Sequence, residues 1–230
     1  MNLRWIGILL LAGLCTSCST TYRARTVTPS GFLGDTSQLR RGQGDEPVLI
    51  YYNPAADILT YDRILIDPIV AYIGSDSRLA KLPKEDRETL LNYFHATLRE
   101  QLSQDYILVD EPGSGVLRLR IALIDAKGSK VVMDTLSTVV PVGLALSALE
   151  RVALGKTLTA GSVCIEAEAL DTLTGMQVAA MVDERVGAKV TGHVDKWSKW
   201  QDVRDAFDFW ANRLRTSMEE FRNQKNSMAS

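Results

Sequence analysis

Residues 116–125 alternate with a period of two. Leu117, Leu119, Ile121 and Leu123 fall on one side, and Arg118, Arg120 and Ala122 on the other. Only a β-strand sends successive side chains to opposite faces, so this stretch demands a sheet with one apolar face. Residues 162–171 repeat the pattern, with Val163, Ile165, Ala167 and Ala169 against Cys164, Glu166, Glu168 and Leu170. Residues 176–186 read as the next strand, joined through Thr172-Leu173-Thr174-Gly175, a connection of hairpin length. With Asp171 opposite Met176, counting along the strand places Ala180 and Val182 on the apolar side. The same count puts Ala179, Met181 and Asp183 beside Glu166 and Glu168.

The rest of the chain supplies the partners such a sheet needs. Residues 48–52 read as a strand stopped by Asn53-Pro54. Residues 62–67 read as another, halted near Pro68 and resuming to Ile73, and residues 106–109 as a short one. From Pro83 to Ser103, Leu90, Leu91, Phe94, Leu98 and Leu102 recur at helical spacing. Pro83 suits a first turn, and Glu85 and Asp86 complement the positive end of the helix dipole. A second helix is expected over 199–221, its apolar face marked by Trp200, Val203, Phe207, Trp210, Leu214, Met218 and Phe221. Residues 223–230 are expected to fray.

The order is β-β-α-β-β, an insertion, then β-β-α. The natural solution is an α+β domain over residues 31–222, with two layers. A mixed, antiparallel-rich sheet would carry helices packed on one face.

The insertion, residues 127–160, separates two strands that otherwise look adjacent. Within it residues 139–149 are almost wholly apolar, Val140, Val142, Leu144 and Leu146 among them. The run is too short to cross a bilayer. It either covers the second face of the sheet or forms a contact surface for a partner or the membrane.

The N-terminus concerns address. One arginine, Arg4, precedes an apolar run over 5–14, about half the roughly 20 residues of a spanning helix. The run ends in Leu14-Cys15-Thr16-Ser17-Cys18, which resembles the lipobox of bacterial lipoproteins. Residues 1–17 then form a signal peptide, and Cys18 is the lipid acceptor; Cys15 would place bulky Leu14 at the cleavage point. Ser19 in place of Asp implies, by the sorting rule of double-membraned bacteria, a lipid anchor in the outer membrane with the domain facing the periplasm. Residues 18–30 are polar and without periodicity, and read as a lipidated flexible tether. Phe32 and Leu33, between Gly31 and Gly34, would clip the start of the domain to its core.

Charge and composition exclude several functions. A net charge of −2 and a pI near 5.8 offer no footprint for nucleic acid. Of three cysteines, Cys15 leaves with the signal and Cys18 carries lipid. Cys164 remains alone, so no internal disulfide can form. Two histidines, His95 and His193, cannot build a histidine-rich metal site, and no metal or cofactor is expected. G-x-S-x-G, P-loop, H-E-x-x-H and C-x-x-C motifs are all missing from the sequence. Trp200 and Trp210 stand at helical spacing and read as core.

One charged group invites a chemical reading. Arg118, Arg120, Glu166 and Glu168, with Asp183 and Arg185 beyond, share the polar side of the predicted sheet. Glu166 and Glu168 stand about 7 Å apart by strand rise, within range of a carboxylate pair. The better reading is cross-strand ion pairing on a solvated face.

The segments together resemble the DUF3313 family of bacterial lipoproteins. The carriers are Ser30-Gly31-Phe32-Leu33-Gly34-Asp35, Tyr61-Asp62-Arg63-Ile64-Leu65-Ile66-Asp67-Pro68, and Pro112-Gly113-Ser114-Gly115-Val116-Leu117-Arg118-Leu119-Arg120. Ser137-Thr138-Val139-Val140-Pro141 and Phe207-Asp208-Phe209-Trp210-Ala211 complete the set, spanning about residues 30–220. The resemblance brings no activity and no catalytic motif. A looser, fold-level likeness is to envelope lipoproteins of the curli-secretion and penicillin-binding-protein-activator type. It rests on Val109-Asp110 and on Asp171-Thr172-Leu173-Thr174-Gly175.

The expectation is a non-enzymatic binding or assembly module of the cell envelope. Its partners would be the bilayer, through Cys18, and an envelope protein not identified by sequence. The competing readings are a periplasmic hydrolase of cell-wall material acting through Glu166 and Glu168, and a ring-forming secretion component, a homo-oligomer.

Overall fold

A computed structural model describes residues 21–74, 77–127, 161–187 and 200–229. Cys18, His193 and the apolar run with Val140, Val142, Leu144 and Leu146 lie outside the described residues.

The early strands are β1 (Thr21–Arg23), β2 (Arg40–Arg41), β3 (Leu49–Tyr52), β4 (Arg63–Ile66) and β5 (Val70–Ala71). Helix α1 (Lys84–Leu102) and β6 (Ile107–Val109) follow, then β7 (Val116–Lys127), β8 (Ser162–Asp171), β9 (Gln177–Gly187) and helix α2 (Gln201–Ala229). The strands make one nine-stranded sheet in the order β2-β3-β9-β8-β7-β4-β6, with β1 also on β9 and β5 also on β7. Strands β4 and β5 run parallel to β7, and β6 runs parallel to β4; the other pairs are antiparallel. Both helices lie on one face. The fold is α+β with a mixed, mostly antiparallel sheet, as the alternation and the element order require.

The core sits between that face and the helices. Leu117, Leu119, Ile121 and Leu123 of β7 and Val163 and Ile165 of β8 bury against Leu90, Phe94, Leu98 and Leu102 of α1 and Val203, Phe207 and Trp210 of α2. Phe94 and Phe207 stack across the two helices, ring centroids 4.4 Å apart and ring planes nearly parallel. Burial of these side chains contributes about 1.5–3 kcal/mol each.

Three features differ from the expectation. The first is a β-bulge in the hairpin. Gly175, at φ +71, takes the left-handed turn position that a Cβ would strain, and the Asp171 carboxylate accepts the Leu173 and Thr174 N–H groups. Asp171 faces Met176 as counted, and Leu170 faces Gln177. The next pair, however, is Ala169 with Ala179, so Val178 is the extra residue. A single inserted residue reverses the faces of the rest of the strand. Ala179, Met181, Asp183 and Arg185 therefore lie on the helix side, and Ala180 and Val182 lie with Glu166 and Glu168. A second bulge, at Ile124, separates the Leu123–Ile165 pair from Asp125–Cys164.

Second, residues 21–30 are not a free tether. Strand β1 pairs with the end of β9, Thr21 opposite Gly187 and Arg23 opposite Arg185. The chain then crosses the second face of the sheet. There Leu33 buries with Cys164, Ala180 and Val182, flanked by Val27, Phe32 and Leu39. The clip anticipated at Phe32 and Leu33 is thus part of a longer cover, and the flexible tether expected over 18–30 is structured from Thr21 onward. Third, α2 continues to Ala229, through the tail expected to fray.

Candidate functional site

The charged residues singled out by alternation separate into different environments. Arg120 stands directly across from Glu168 and is ion-paired with it, and Gln177 Nε2 donates to the same carboxylate at 2.8 Å. Arg118 turns to Asp67 on the neighbouring segment, at 2.8 Å. Glu166 is fully buried and accepts the backbone N–H groups of Ser30 and Leu33. A solvated face was expected; instead both glutamates are buried, because residues 24–39 lie across them. The guanidinium of Arg120 sits over the Phe32 ring, 5.2 Å from its centroid. These contacts fasten the N-terminal cover.

The bulge creates a second polar group on the opposite side. Asp183, 1% exposed, accepts Trp210 Nε1–H at 2.7 Å and the Val48 N–H at 3.0 Å. Burial pushes its carboxyl above the usual carboxylate range, against the pull of those two donors. Arg185 stacks on Phe209, 3.5 Å from the ring centroid, and donates from Nε and Nη2 to the Thr21 hydroxyl and carbonyl, both at 2.8 Å. Strand β1 is thus fixed by a buried guanidinium as well as by its ladder. Burial likewise pushes the Cys164 thiol far up, which makes it an inert, structural thiol. Among the described residues, no group of histidine, cysteine and carboxylate side chains is placed to hold a metal ion.

Beneath α2 the sheet is paved with small side chains. Ala167 and Ala169 of β8 and Ala179 of β9 share the helix face, where bulkier residues would fill the space between the layers. The result is an apolar cavity of about 220 Å³, with Ile165, Met181, Phe209, Leu214 and Met218 in its walls. Asp45 and Phe221 are the exposed residues of its lining, and Tyr52, Asn53 and Arg213 also line it, half-buried. The Tyr52 and Phe221 rings meet there edge to face, centroids 5.0 Å apart. Arg213 at the rim is engaged by Glu220 at 3.2 Å. Neither the cavity nor Asp183 beside Trp210 was visible in the sequence. The one available signal was three alanines where core strands usually carry larger residues.

A family model described as a protein of unknown function (DUF3313) matches residues 28–214. The chain belongs to the DUF3313 family. The match takes in the cover from residue 28, strands β2 to β9 and the first half of α2, while β1 and the cavity-lining Met218 and Phe221 lie outside it. A search of curated proteins finds no match. Among solved structures, this DUF3313 chain is similar to a DUF330-family protein from Xanthomonas campestris. The identity is 14% and the TM-score 0.43, over 76% of this chain and 93% of that one. It is also similar to the PelC dodecamer from Paraburkholderia phytofirmans, at 12% identity and a TM-score of 0.37, over 71% of this chain and 94% of that one. Both likenesses are distant.

Proposed function

We propose that this DUF3313 protein is a non-enzymatic binding module of the bacterial envelope, anchored to the outer membrane through acylated Cys18, which holds a single apolar chain in the cavity beneath α2. The cavity carries the reading. Its walls are almost entirely carbon, and its floor is alanine. Its volume suits one acyl chain or a similar slender group. Each methylene transferred from water into such a space contributes about 0.8 kcal/mol. Of the polar side chains that line it, Asp183 accepts from Trp210, Glu168 pairs with Arg120 and Arg213 pairs with Glu220, with Asp45 at the exposed edge, so shape and apolar contact select the ligand.

The anchor rests on the Thr16-Ser17-Cys18 box. Two or three acyl chains on one cysteine hold a protein on a bilayer without a spanning helix. No helix among the described residues is long and apolar enough to cross a membrane.

The test is titration of the full-length protein with a fluorescent fatty acid, beside Ala179→Phe, which fills the cavity from its floor. The wild type should bind saturably. The variant should lose binding at least tenfold while its circular dichroism and melting temperature stay close to wild type. Equal binding by both proteins would place the ligand elsewhere.

A further inference from the structure

A chain seated beneath α2 ends in a head group, and one charge at the border of the cavity can select that head. Among the described residues of the lining, the charged ones are Asp45, Glu168, Asp183 and Arg213, and Arg213 is the one cation. Glu168 and Asp183 are buried and have partners of their own, Arg120 and Trp210. Asp45 is exposed, so water damps its charge. Arg213 is half-buried and stands close to the point where Tyr52 meets Phe221. Its charge acts on the Tyr52 phenol, and its partner Glu220 immediately precedes Phe221.

Two arginine–glutamate pairs occupy this border, and they differ in quality. Arg40 donates to Glu46 fork to fork, from Nη1 to Oε2 at 2.8 Å and from Nη2 to Oε1 at 2.9 Å. That is the strong, bidentate form. Arg213 donates from Nη1 alone, to the two Glu220 oxygens at 3.2 and 3.4 Å, and Nη2 and Nε have no acceptor among the described residues. The Glu220 side chain is 64% exposed, against 24% for Glu46, so its carboxylate stays largely in water. Displacing so exposed a partner costs little. The hydroxyls of Tyr52 and of Ser217, one turn further along α2, belong to residues of the same lining and add neutral donors.

We infer that the ligand of this cavity is a long-chain carboxylate, a free fatty acid, whose chain lies beneath α2 and whose head displaces Glu220 to fork onto Arg213. Shape and apolar contact choose the chain; Arg213 chooses the head. A seated chain holds its carboxylate beside Arg213 at high effective concentration, an advantage the solvated Glu220 side chain lacks. One guanidinium balances one negative charge. A phosphate monoester would bring about two, beside Asp45 and Glu220. The inference rests on the cavity being a ligand site.

Calorimetric titration of the full-length protein with dodecanoic acid, dodecanol and dodecyl phosphate provides the test, in mildly alkaline buffer where the acid is ionised. The three probes share one chain and differ only in the head. Dodecanoate should bind about tenfold more tightly than dodecanol, whose head carries no charge. Arg213→Gln should bring the acid down to the level of the alcohol and leave the alcohol unchanged, which also shows that the variant is folded. Glu220→Gln, which removes the competing carboxylate, should tighten dodecanoate several-fold and leave dodecanol as it was. Equal binding of acid and alcohol by the wild type, tighter binding of the phosphate, a preference for the acid that survives Arg213→Gln, or no tightening in Glu220→Gln overturns the assignment of the head and leaves the cavity standing. Absence of saturable binding by all three probes, or undiminished binding by Ala179→Phe, contradicts the cavity as the site, and the assignment of the head falls with it.

Discussion

The carboxylate of Glu166 is held by two backbone N–H groups of the segment that covers it. Glu166→Gln leaves one carbonyl oxygen to serve two donors and a buried amide without matched partners. It should destabilise the domain by about 1–3 kcal/mol and open residues 24–39 to protease, read by thermal unfolding and limited proteolysis. Glu46 illustrates the opposite case, a carboxylate near the surface. Hydrogen bonds from the Arg40 guanidinium hold its pKa down at about 2, against its ordinary value of 4.5. A lowered pKa means stability that is complete above the ordinary carboxylate range and is lost as pH falls toward 2. For so exposed a pair the amount is about 0.2–1 kcal/mol. Glu46→Gln should remove it, so urea midpoints of variant and wild type should differ at pH 7 and converge in strong acid. The charged residues were identifiable from alternation; their burial was not. Alternation shows which residues share a face but carries no information about a distant segment that crosses it, here residues 24–39.

At the scale of elements, strand β9 decides most of the site. The alternation of β8, and of β7 as far as Leu123, was legible residue by residue, because an unbulged stretch obeys a period of two. β9 was readable only as far as Gln177. Beyond it, Val178 adds one residue, every later side chain changes face, and Asp183 arrives under α2 beside Trp210. Nothing in Met176-Gln177-Val178-Ala179 announces a bulge, since each of those residues would sit in a regular strand. Trp210→Phe keeps the aromatic volume and removes the indole donor. It should cost about 1–3 kcal/mol at neutral pH. The Asp183 pKa, already raised by burial, should rise further, so the loss should shrink in acid, where the carboxyl is protonated. Chemical unfolding of both proteins at neutral and acid pH reads the difference; a pH-independent loss would assign the effect to packing alone. The helices were easier to read, since spacing and Pro83 marked α1 well. The length of α2 was underestimated because its last turns are polar and lack the apolar stripe that signals a buried helix.

At the scale of the whole molecule, a two-layer α+β domain with helices on one face followed from element order. The second face, covered by the chain's own N-terminal segment, did not. That segment begins at Thr21, which pairs with Gly187 at the end of β9. Cys18→Ser should abolish incorporation of a fatty-acid analogue in cells; undiminished labelling would mean that another residue is the acceptor. The cavity is the feature on which the proposed function stands. Photo-crosslinking of the full-length protein with a diazirine-bearing fatty acid, followed by peptide mapping, tests it most directly. Adducts concentrated on peptides containing 167–169, 179–181 and 209–221 are the predicted result. Adducts scattered over exposed apolar residues such as Ile107 and Leu173, or none above a denatured control, would contradict it.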